Sequence, residues 1–142
     1  MEIYSKKIYY QTTGNNCALD TTQDLFKILK ESGLKEGIAV ITVLGSTASL
    51  VISENESGLL KDLQALAESL VPQKKDYKHN YAGEGNAHSH LRSSLFGASL
   101  TLSFEDGEFN LGSWQQIFLI DFDTRPRTRE VVVKLLGRRE DF

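Results

Sequence analysis

Hydrophobic positions along the chain follow two spacings, one typical of strands and one typical of helices. Apolar and β-branched residues alternate or run together in short segments, as in half-buried and buried strands. These segments are 2–12, 37–45, 48–54, 114–123, 129–137 and the two halves of 98–112. Apolar residues at helical spacing mark 18–33 and 55–72. The pattern predicts an α+β fold with about seven mostly antiparallel strands and two helices.

Two short turns predict how neighbouring strands are connected. Asp106-Gly107 divides segment 98–112, and an Asp-Gly pair between alternating apolar residues is a strong β-hairpin signal. Residues 45–47 read Gly-Ser-Thr between two apolar segments, which is compatible with a second hairpin. Asn55 and Glu56 precede the second helix, where negative charge favours a helix start. We therefore interpret those two residues as helix-capping residues.

Residues 73–90 follow neither spacing and contain every histidine of the chain, His79, His88 and His90. A loop of this length in a compact domain is usually functional or disordered, and its aromatic residues and histidines argue against disorder. On an extended backbone, residues two apart point to one face, so His88 and His90 could grip one ion. His79 could fold back to join them across the glycines of the loop.

Three imidazoles with open coordination positions suit a catalytic zinc ion, with manganese or magnesium as other divalent candidates. Additional oxygen ligands could come from Asp76, Glu84 and Asp106. Two other interpretations stay open, because a His-x-His pair is by itself a weak signal. The histidines could line a polar pocket that holds no metal, or they could be separate loop residues with no shared role.

Four further residues carry candidate chemistry. Ser46 and Thr47 could bind an anion through their hydroxyl groups and the backbone N–H groups of the turn. Arg92 could hold a phosphate in a bidentate grip, or it could be a surface arginine on a strand edge. Trp114 could pack in the core with its indole N–H satisfied, or it could form a pocket wall against a flat ring.

Length and charge narrow the class of protein. The chain has 142 residues, which predicts one domain, 1–142, large enough to bury a core. Its net charge of -3 does not supply the basic face that nucleic-acid binding needs. A basic cluster does occur near the C-terminus, at Arg125, Arg127, Arg129, Lys134, Arg138 and Arg139. We interpret it as a solvated strand edge, with acidic partners across a subunit interface as the alternative.

Cysteine content and hydropathy predict a cytoplasmic protein. Cys17 is the only cysteine, which excludes an intramolecular disulfide and fits a reducing compartment. The N-terminal stretch MEIYSKKIYY lacks the apolar core of a signal peptide. No apolar run approaches the roughly 20 residues that span a bilayer, so we expect no membrane partner.

Three motifs of this chain occur together in a known family. The first consists of Ser99, Leu100, Leu102, Gly107 and the run Gly112-Ser113-Trp114-Gln115. The second consists of Asn86, Ala87, His90, Leu91 and Arg92, and the third of Ser46-Thr47-Ala48 followed by Asn55-Glu56. Together they resemble the motifs of the YjbQ family. The resemblance extends over nearly the whole chain and is strongest from 86 to 137.

The resemblance implies a compact α+β fold with a β-sandwich, assembled as a homotrimer. The family is often labelled secondary thiamine-phosphate synthase, which implies a transferase that joins a pyrimidine diphosphate to a thiazole phosphate and releases pyrophosphate. A polar, metal-binding pocket near a subunit interface would contain the histidines. The expected catalytic residues are then Asn86, His90, Arg92 and Trp114, and the expected phosphate-binding residues are Ser46, Thr47 and Arg92.

One position departs from the family pattern. Members usually carry a histidine just before the threonine pair, whereas this chain has Leu44-Gly45. A metal and an arginine would neutralise a diphosphate leaving group, yet diphosphate sites commonly use magnesium held by carboxylates. The sequence therefore leaves three functions open: the transferase, a non-catalytic trimer that binds a small phosphorylated metabolite, and a metal-dependent hydrolase.

Overall fold

A computed structural model describes residues 1–140 and confirms the α+β class. Within these residues the strands are β1 Glu2–Thr12, β2 Cys17–Asp20, β3 Glu36–Val43, β4 Ala48–Ser53, β5 Ser99–Glu105, β6 Glu108–Phe109, β7 Gln116–Asp121 and β8 Arg127–Arg138. The helices are α1 Thr22–Ser32, α2 Ser57–Leu70 and α3 Ala87–Phe96, and a 3-10 turn spans Lys78–Tyr81. The described part of the chain thus has one strand and one α-helix more than the sequence predicts.

The strands form two antiparallel sheets that face each other, which confirms the expected β-sandwich. The large sheet has the order β1-β8-β3-β5-β6, and the small sheet has the order β2-β7-β4. The hairpin predicted at Asp106-Gly107 is confirmed, because β5 pairs with β6 through Phe104 and Phe109. β8 pairs with β1 on one side and with β3 on the other, so the C-terminal strand is an interior strand of its sheet rather than an edge strand.

The small sheet is covered on both faces. One face packs with α1 against the large sheet and forms the main core, which includes Leu25, Leu29, Ile41, Leu50, Phe104, Ile117, Val133 and Leu135. The other face lies beneath α2 and α3 and forms a second cluster around Ala67, Phe118, Ile120 and Phe122. Because β4 and β7 are buried from both sides, their sequences are continuous apolar runs rather than alternating ones.

The first helix begins later than its apolar spacing suggests. Residues 17–20 pair with β7 and form β2, a strand that the sequence interpretation placed partly inside the helix. The change occurs at Asp20, whose carboxylate accepts hydrogen bonds from the backbone N–H and the hydroxyl of Thr22. These contacts set the start of α1 at Thr22. Glu56 caps α2 as expected, by accepting from the N–H groups of Gly58 and Leu59.

The hairpin predicted at residues 45–47 is wrong. β3 belongs to the large sheet and β4 to the small sheet, so the turn between them crosses from one layer to the other. The turn is fixed at both ends by backbone hydrogen bonds. The N–H of Leu44 donates to Glu130 O at 2.9 Å, and Thr47 O accepts from the N–H of Phe122 at 2.9 Å. The Ser46–Thr47 segment is thereby held at the open end of the sandwich.

The helix α3 occupies the end of the segment that sequence spacing assigns to a loop. Its buried residues include the polar side chains His88, Ser89, Arg92 and Ser93. The hydroxyls of Ser89 and Ser93 donate to the carbonyl oxygens of Phe122 and Ala48, at 2.5 and 2.6 Å. A helix that buries polar residues has no apolar stripe, which is why periodicity does not detect it. Among residues 1–140, no helix is long and apolar enough to cross a membrane.

Candidate functional site

An open pocket of about 440 Å³ lies at the end of the sandwich where several strand termini meet. The C-terminal ends of β1, β3 and β7 and the N-terminal ends of β4 and β8 share this side of the two sheets. The pocket is lined by the turn 45–47, by loop residues near Gly83 and Glu84, and by the start of β8. Both His79 and His90 contribute to the same lining, so the structure brings part of the histidine cluster to the Ser46–Thr47 turn.

A buried ion pair between Arg129 and Asp121 supports the floor of the pocket. Nε of Arg129 donates to Oδ2 of Asp121 at 2.7 Å, and Nη2 donates to Oδ1 at 2.9 Å. The Thr12 hydroxyl donates to the same carboxylate at 2.6 Å. Burial by itself raises the pKa of Asp121, but hydrogen bonds from Arg129 and Thr12 outweigh it and lower the pKa. Asp121 is therefore an ionised, fully engaged carboxylate that fixes Arg129.

A second buried carboxylate, Asp123, links the pocket wall to the strand ends. Its oxygens accept hydrogen bonds from the backbone N–H of Thr124 and from the side chains of Asn86, Thr47 and Arg127. Burial by itself raises the pKa of Asp123, but the hydrogen bonds from these donors outweigh burial and lower the pKa to about 2. Each oxygen has at least two donors, so the carboxylate has little remaining capacity to bind a cation.

Arg127 is the guanidinium that the pocket leaves accessible. Its side chain is 30% exposed, in contrast to the buried Arg129. Its Nη2 lies 2.8 Å from Oδ2 of Asp123 and 3.3 Å from Oε2 of Glu84. The other oxygen of Glu84 lies 3.2 Å from Nη2 of Arg125. Nη2 of Arg127 is therefore shared between the buried Asp123 and the exposed carboxylate of Glu84 at the pocket.

His79 and His90 form a ring pair at the rim of the pocket. Their ring centroids are 4.8 Å apart, with the planes at 70°. The His79 ring comes from the 3-10 turn and the His90 ring from α3, so the predicted folding back of His79 does bring it to His90. On the other side of this pair, residues Tyr77, Ala87 and Leu91 line a second open groove of about 650 Å³.

The prediction that His88 and His90 point to one face is wrong, because the backbone there is helical. Residues two apart on an α-helix do not face each other. His88 instead points into the protein, with 2% of its surface exposed, and within residues 1–140 its Nδ1 has no hydrogen-bond partner. Burial, assisted by the positive charge of Arg92, lowers the pKa of His88, so a neutral ring is favoured.

The donor set does not fit a three-histidine metal centre. Within the described residues 1–140, no group of three or more histidine, cysteine or acidic side chains is placed to hold a metal ion. Two imidazoles converge, but the nearby carboxylates of Glu84 and Asp123 are engaged by arginines. The other oxygen ligands suggested by the sequence, Asp76 and Asp106, do not line the pocket. A divalent metal bound here would need donors beyond His79 and His90.

Arg92 is not available as a phosphate clamp, contrary to the sequence prediction. It is 2% exposed, and all three of its nitrogens donate within the protein. Nε donates to Val71 O at 3.0 Å, Nη1 to Asn16 Oδ1 at 3.0 Å, and Nη2 to Glu68 Oε2 at 2.6 Å. Arg92 therefore ties α3 to the end of α2 and to the β1–β2 connection. The alternative of a surface arginine on a strand edge is also wrong.

The two turn hydroxyls have different roles. Ser46 is exposed and lines the pocket, as predicted for an anion-binding residue. Thr47 is buried, donates its hydroxyl proton to Asp123 at 3.0 Å and accepts from Nη2 of Arg129. Because that proton is already used, Thr47 connects the two ion pairs rather than presenting its hydroxyl to a ligand. Asn86, also buried in the lining, donates to Asp123 in the same way.

Gly45, just before the Ser46–Thr47 turn, leaves room for the Arg129 guanidinium. Its φ of +125° lies in the region that favours glycine, and a Cβ there would lie 2.5 Å from Nη1 of Arg129. The guanidinium thus occupies space that a larger residue would need.

Trp114 lies far from the pocket within one chain. It precedes β7, whereas Asp121 and the pocket lie at the opposite end of that strand. The five residue steps along β7 correspond to about 17 Å. Its side chain is 75% exposed, so packing in the core, one of the two sequence interpretations, is wrong. A role as a pocket wall would require a second copy of the chain.

The sequence interpretation did not identify the charged arginine and aspartate residues of the pocket. Arg127 and Arg129 belong to a cluster assigned to a solvated strand edge, yet they lie at the start of an interior strand and Arg129 is buried. A signal was present in residues 121–129, which read DFDTRPRTR. Alternate residues of an extended segment share a face, so Asp-x-Asp and Arg-x-Arg on either side of a turn can pair.

Comparisons with known proteins agree with this fold. The family model described as UPF0047 protein YjbQ-like matches residues 6–138. A UPF0047 protein of Methanothermobacter thermautotrophicus is 37% identical over 138 residues, which cover 97% of this chain and 95% of that protein. Another, from Methanocaldococcus jannaschii, is 38% identical over 132 residues, covering 92% and 93% of the two chains.

Two solved structures are similar over nearly their whole length. A YbjQ-like protein of unknown function from Sulfolobus solfataricus has a TM-score of 0.93 at 33% identity, with 96% of this chain and 99% of that chain covered. A hypothetical protein from Aeropyrum pernix has a TM-score of 0.86 at 30% identity, with 97% and 100% covered. The resemblance inferred from the motifs is confirmed, and the chain belongs to the UPF0047 family of YjbQ-like proteins.

Proposed function

We propose that the pocket binds the phosphate group of a small phosphorylated metabolite. The observation that carries this proposal is the position of Arg127, a partly exposed guanidinium aimed into a pocket that also contains Ser46, His79 and His90. Guanidinium groups bind phosphate oxygens through strong, charge-assisted hydrogen bonds. The buried pair of Arg129 and Asp121 supports this wall from behind, so the cationic face is formed before a ligand arrives.

The groove beyond the histidine pair would receive the organic part of the ligand. It is separated from the phosphate pocket only by His79 and His90, which line both spaces. Leu91 is 45% exposed there and Tyr77 is half-buried, so the groove offers apolar surface beside a charged pocket. Such a combination is typical of sites for small organic phosphates, in which a few polar groups orient a mostly apolar ligand.

The transferase reaction implied by the family label is the candidate activity of this site. Release of pyrophosphate from a pyrimidine diphosphate places negative charge on the leaving group, and cationic donors positioned for that charge accelerate such a step. Arg127 would neutralise the leaving group, while His79 and His90 are placed to donate or accept a proton at the rim. The predicted catalytic roles of Arg92 and Trp114 have no support within one chain.

A non-catalytic binding module is the second candidate, and one observation favours it. The two carboxylates of the pocket, Asp121 and Asp123, are held ionised by arginines and hydroxyls and have no free position at which to act as a base. A metal-dependent hydrolase has less support, because only His79 and His90 converge. A divalent cofactor, zinc first and magnesium or manganese next, stays a prediction, as does the cytoplasmic location.

Calorimetric titration with inorganic phosphate and pyrophosphate tests the binding proposal. Replacing Arg127→Gln removes one charge-assisted contact, worth roughly 1.5–3 kcal/mol, so affinity should fall about tenfold or more. The matched control is Arg139→Gln, which removes an equally charged but exposed side chain paired with Glu2. Ser46→Ala, at an exposed position, should weaken binding without affecting the fold. Equal affinities in the wild type and Arg127→Gln would contradict the proposal.

Turnover separates the two candidate functions. The protein is incubated with a pyrimidine diphosphate and a thiazole phosphate, and released pyrophosphate and the coupled product are measured together. Under the transferase proposal, His90→Ala abolishes product while phosphate still binds through Arg127. Binding of pyrophosphate without product in the wild type, including after incubation with zinc, magnesium or manganese, would support the binding module instead.

The homotrimer is also a proposal, supported by the outer face of the large sheet. Its exposed side chains include several large apolar ones, Ile3, Tyr9, Ile38, Val40 and Leu136. A face of this kind on a central sheet is typical of a protein interface, and a neighbouring copy could bring its Trp114 near the pocket. Sedimentation should show a trimer for the wild type and smaller species for Ile38→Lys. Leu66→Lys, at an exposed position of α2, is the control that should leave assembly unchanged.

A further inference from the structure

Glu84 places a carboxylate where a ligand phosphate would meet Arg127. Its two oxygens lie 3.2 Å from Nη2 of Arg125 and 3.3 Å from Nη2 of Arg127. The same residue lines the pocket together with His79 and His90. Nη2 of Arg127, which the buried Asp123 holds, is therefore also the nitrogen that Glu84 contacts, and a ligand oxygen at Nη2 would meet the Glu84 carboxylate.

The charges of the pocket balance only while Glu84 is engaged. Arg125, Arg127 and Arg129 supply three positive charges, and Asp121, Asp123 and Glu84 supply three negative ones. Both aspartates are buried and fixed by several donors each. If Glu84 leaves, the remaining five groups carry one net positive charge, and Nη2 of Arg127 loses its contact with the exposed carboxylate. An incoming anion then restores the balance that Glu84 provided.

The backbone around Glu84 allows it to leave at low cost. It stands between Gly83 and Gly85, in the loop that joins the 3-10 turn to α3. Gly85 has φ +74° and no atom within 4 Å of the place a Cβ would take, so this side of the loop is unobstructed. The Glu84 side chain is 52% exposed. Exposed ion pairs contribute little to stability, so an anion can displace this one.

We propose that Glu84 is an internal competitor for the anion site, which a phosphate group displaces from Nη2 of Arg127 when it binds there. The proposal rests on the function proposed above. It predicts that Glu84 lowers the affinity of every anion that uses Arg127 by a similar factor, because each anion must displace the same side chain. A Glu84 that stayed in place and only repelled the anion would give a different result. Repulsion doubles with the charge of the anion, so the factor by which affinity falls for a dianion would be about the square of the factor for a monoanion.

Titration of Glu84→Gln with two probes distinguishes these cases. The probes are inorganic phosphate, at a mildly alkaline pH where it is mainly a dianion, and dimethyl phosphate, a monoanion. Loss of two exposed ion pairs corresponds to roughly a 2-fold to 30-fold gain in affinity, and both probes should gain about equally. Glu108→Gln is the matched control, with the same change of charge at an exposed position on the β5–β6 hairpin at the far end of the large sheet.

Each outcome decides a separate point. Similar gains for both probes in Glu84→Gln, with none in Glu108→Gln, support displacement. An unchanged or weakened affinity, or a gain for phosphate that is the square of the gain for dimethyl phosphate, overturns the internal competitor while leaving the phosphate pocket intact. Absence of phosphate binding in the wild type and in both variants contradicts the proposed function itself.

Discussion

Replacing Arg129→Met should destabilise the protein by about 3–5 kcal/mol, because it leaves Asp121 buried without its counter-ion. Methionine retains much of the apolar length of arginine, so the change removes charge and hydrogen bonds more than packing. The two side chains are 7% and 0% exposed and share hydrogen bonds of 2.7 and 2.9 Å. Water therefore cannot readily replace the lost donors.

An exposed pair of similar geometry provides the reference. Nε of Arg139 lies 2.7 Å from Oε1 of Glu2, which equals the distance from Nε of Arg129 to Asp121. The Arg139 and Glu2 side chains are 50% and 47% exposed, so solvent screens the pair. Arg139→Met should then have little effect on stability compared with Arg129→Met. Since the distances are equal, the difference between the two variants measures the effect of burial.

Urea unfolding near neutral pH, followed by circular dichroism at one fixed protein concentration, measures both variants. A fixed concentration is needed because any assembly adds to the apparent stability. In thermal unfolding, 1 kcal/mol corresponds to roughly 2–4 °C, so the melting temperature of Arg129→Met should fall by about 10 °C. The double variant Asp121→Asn/Arg129→Met should recover part of the loss, because it removes the unpaired charge. A loss for Arg129→Met no larger than that for Arg139→Met would refute this reasoning.

Two other substitutions test the same region, and one measurement tests the proposed assembly. The pKa of Asp123 in the folded protein, about 2, lies below its pKa in the unfolded chain. Ionised Asp123 therefore stabilises the folded protein by on the order of 2 kcal/mol above about pH 4, and this stabilisation is lost as the pH falls towards 2. Urea midpoints for Asp123→Asn should therefore depend less on pH in that range, and an unchanged slope would contradict the assignment. Gly45→Ala should lower the free energy of unfolding in urea by about 1–3 kcal/mol. The loss should exceed that of Gly97→Ala, because Gly97 also has positive φ but has no atom within 4 Å of the place a Cβ would take. Equal losses would exclude a contribution from the contact with Arg129. Acrylamide should quench the fluorescence of Trp114, the only tryptophan, less in concentrated than in dilute protein if assembly covers it; equal quenching would argue against that role.

The strands of the large sheet could be predicted because each has one buried face. Val131, Val133 and Leu135 alternate with less buried residues along β8, and the Asp106-Gly107 turn fixes the register of its hairpin. Alternation is a local property, so one sequence is enough to read it. The order of strands is not local. For this reason the sequence does not reveal that β8 is an interior strand or that β3 and β4 belong to different sheets.

The candidate site was predicted in part, and the errors share one cause. His79, His90, Ser46 and Asn86 do line the pocket, because motifs and clustering identify residues even where the backbone is misassigned. The roles given to His88 and Arg92 depended on an extended or exposed backbone. Both residues lie on α3, whose inward face bonds to β4, β7 and α2 through polar side chains. The burial of these polar side chains depends on their hydrogen-bond partners in the folded protein. The spacing of residues along the chain does not reveal those partners.

The electrostatics of the pocket favour an anion over a cation as its ligand. A divalent metal needs ligand oxygens with free lone pairs, yet Asp121 and Asp123 already accept from guanidinium, hydroxyl and amide donors. The imidazoles of His79 and His90 supply two donors to a metal, which is fewer than zinc sites use. An anion would instead meet the partly exposed guanidinium of Arg127, which is contacted at the pocket by the exposed Glu84, a residue between two glycines. The same arginines that make the carboxylates poor metal ligands therefore support the phosphate site that we propose.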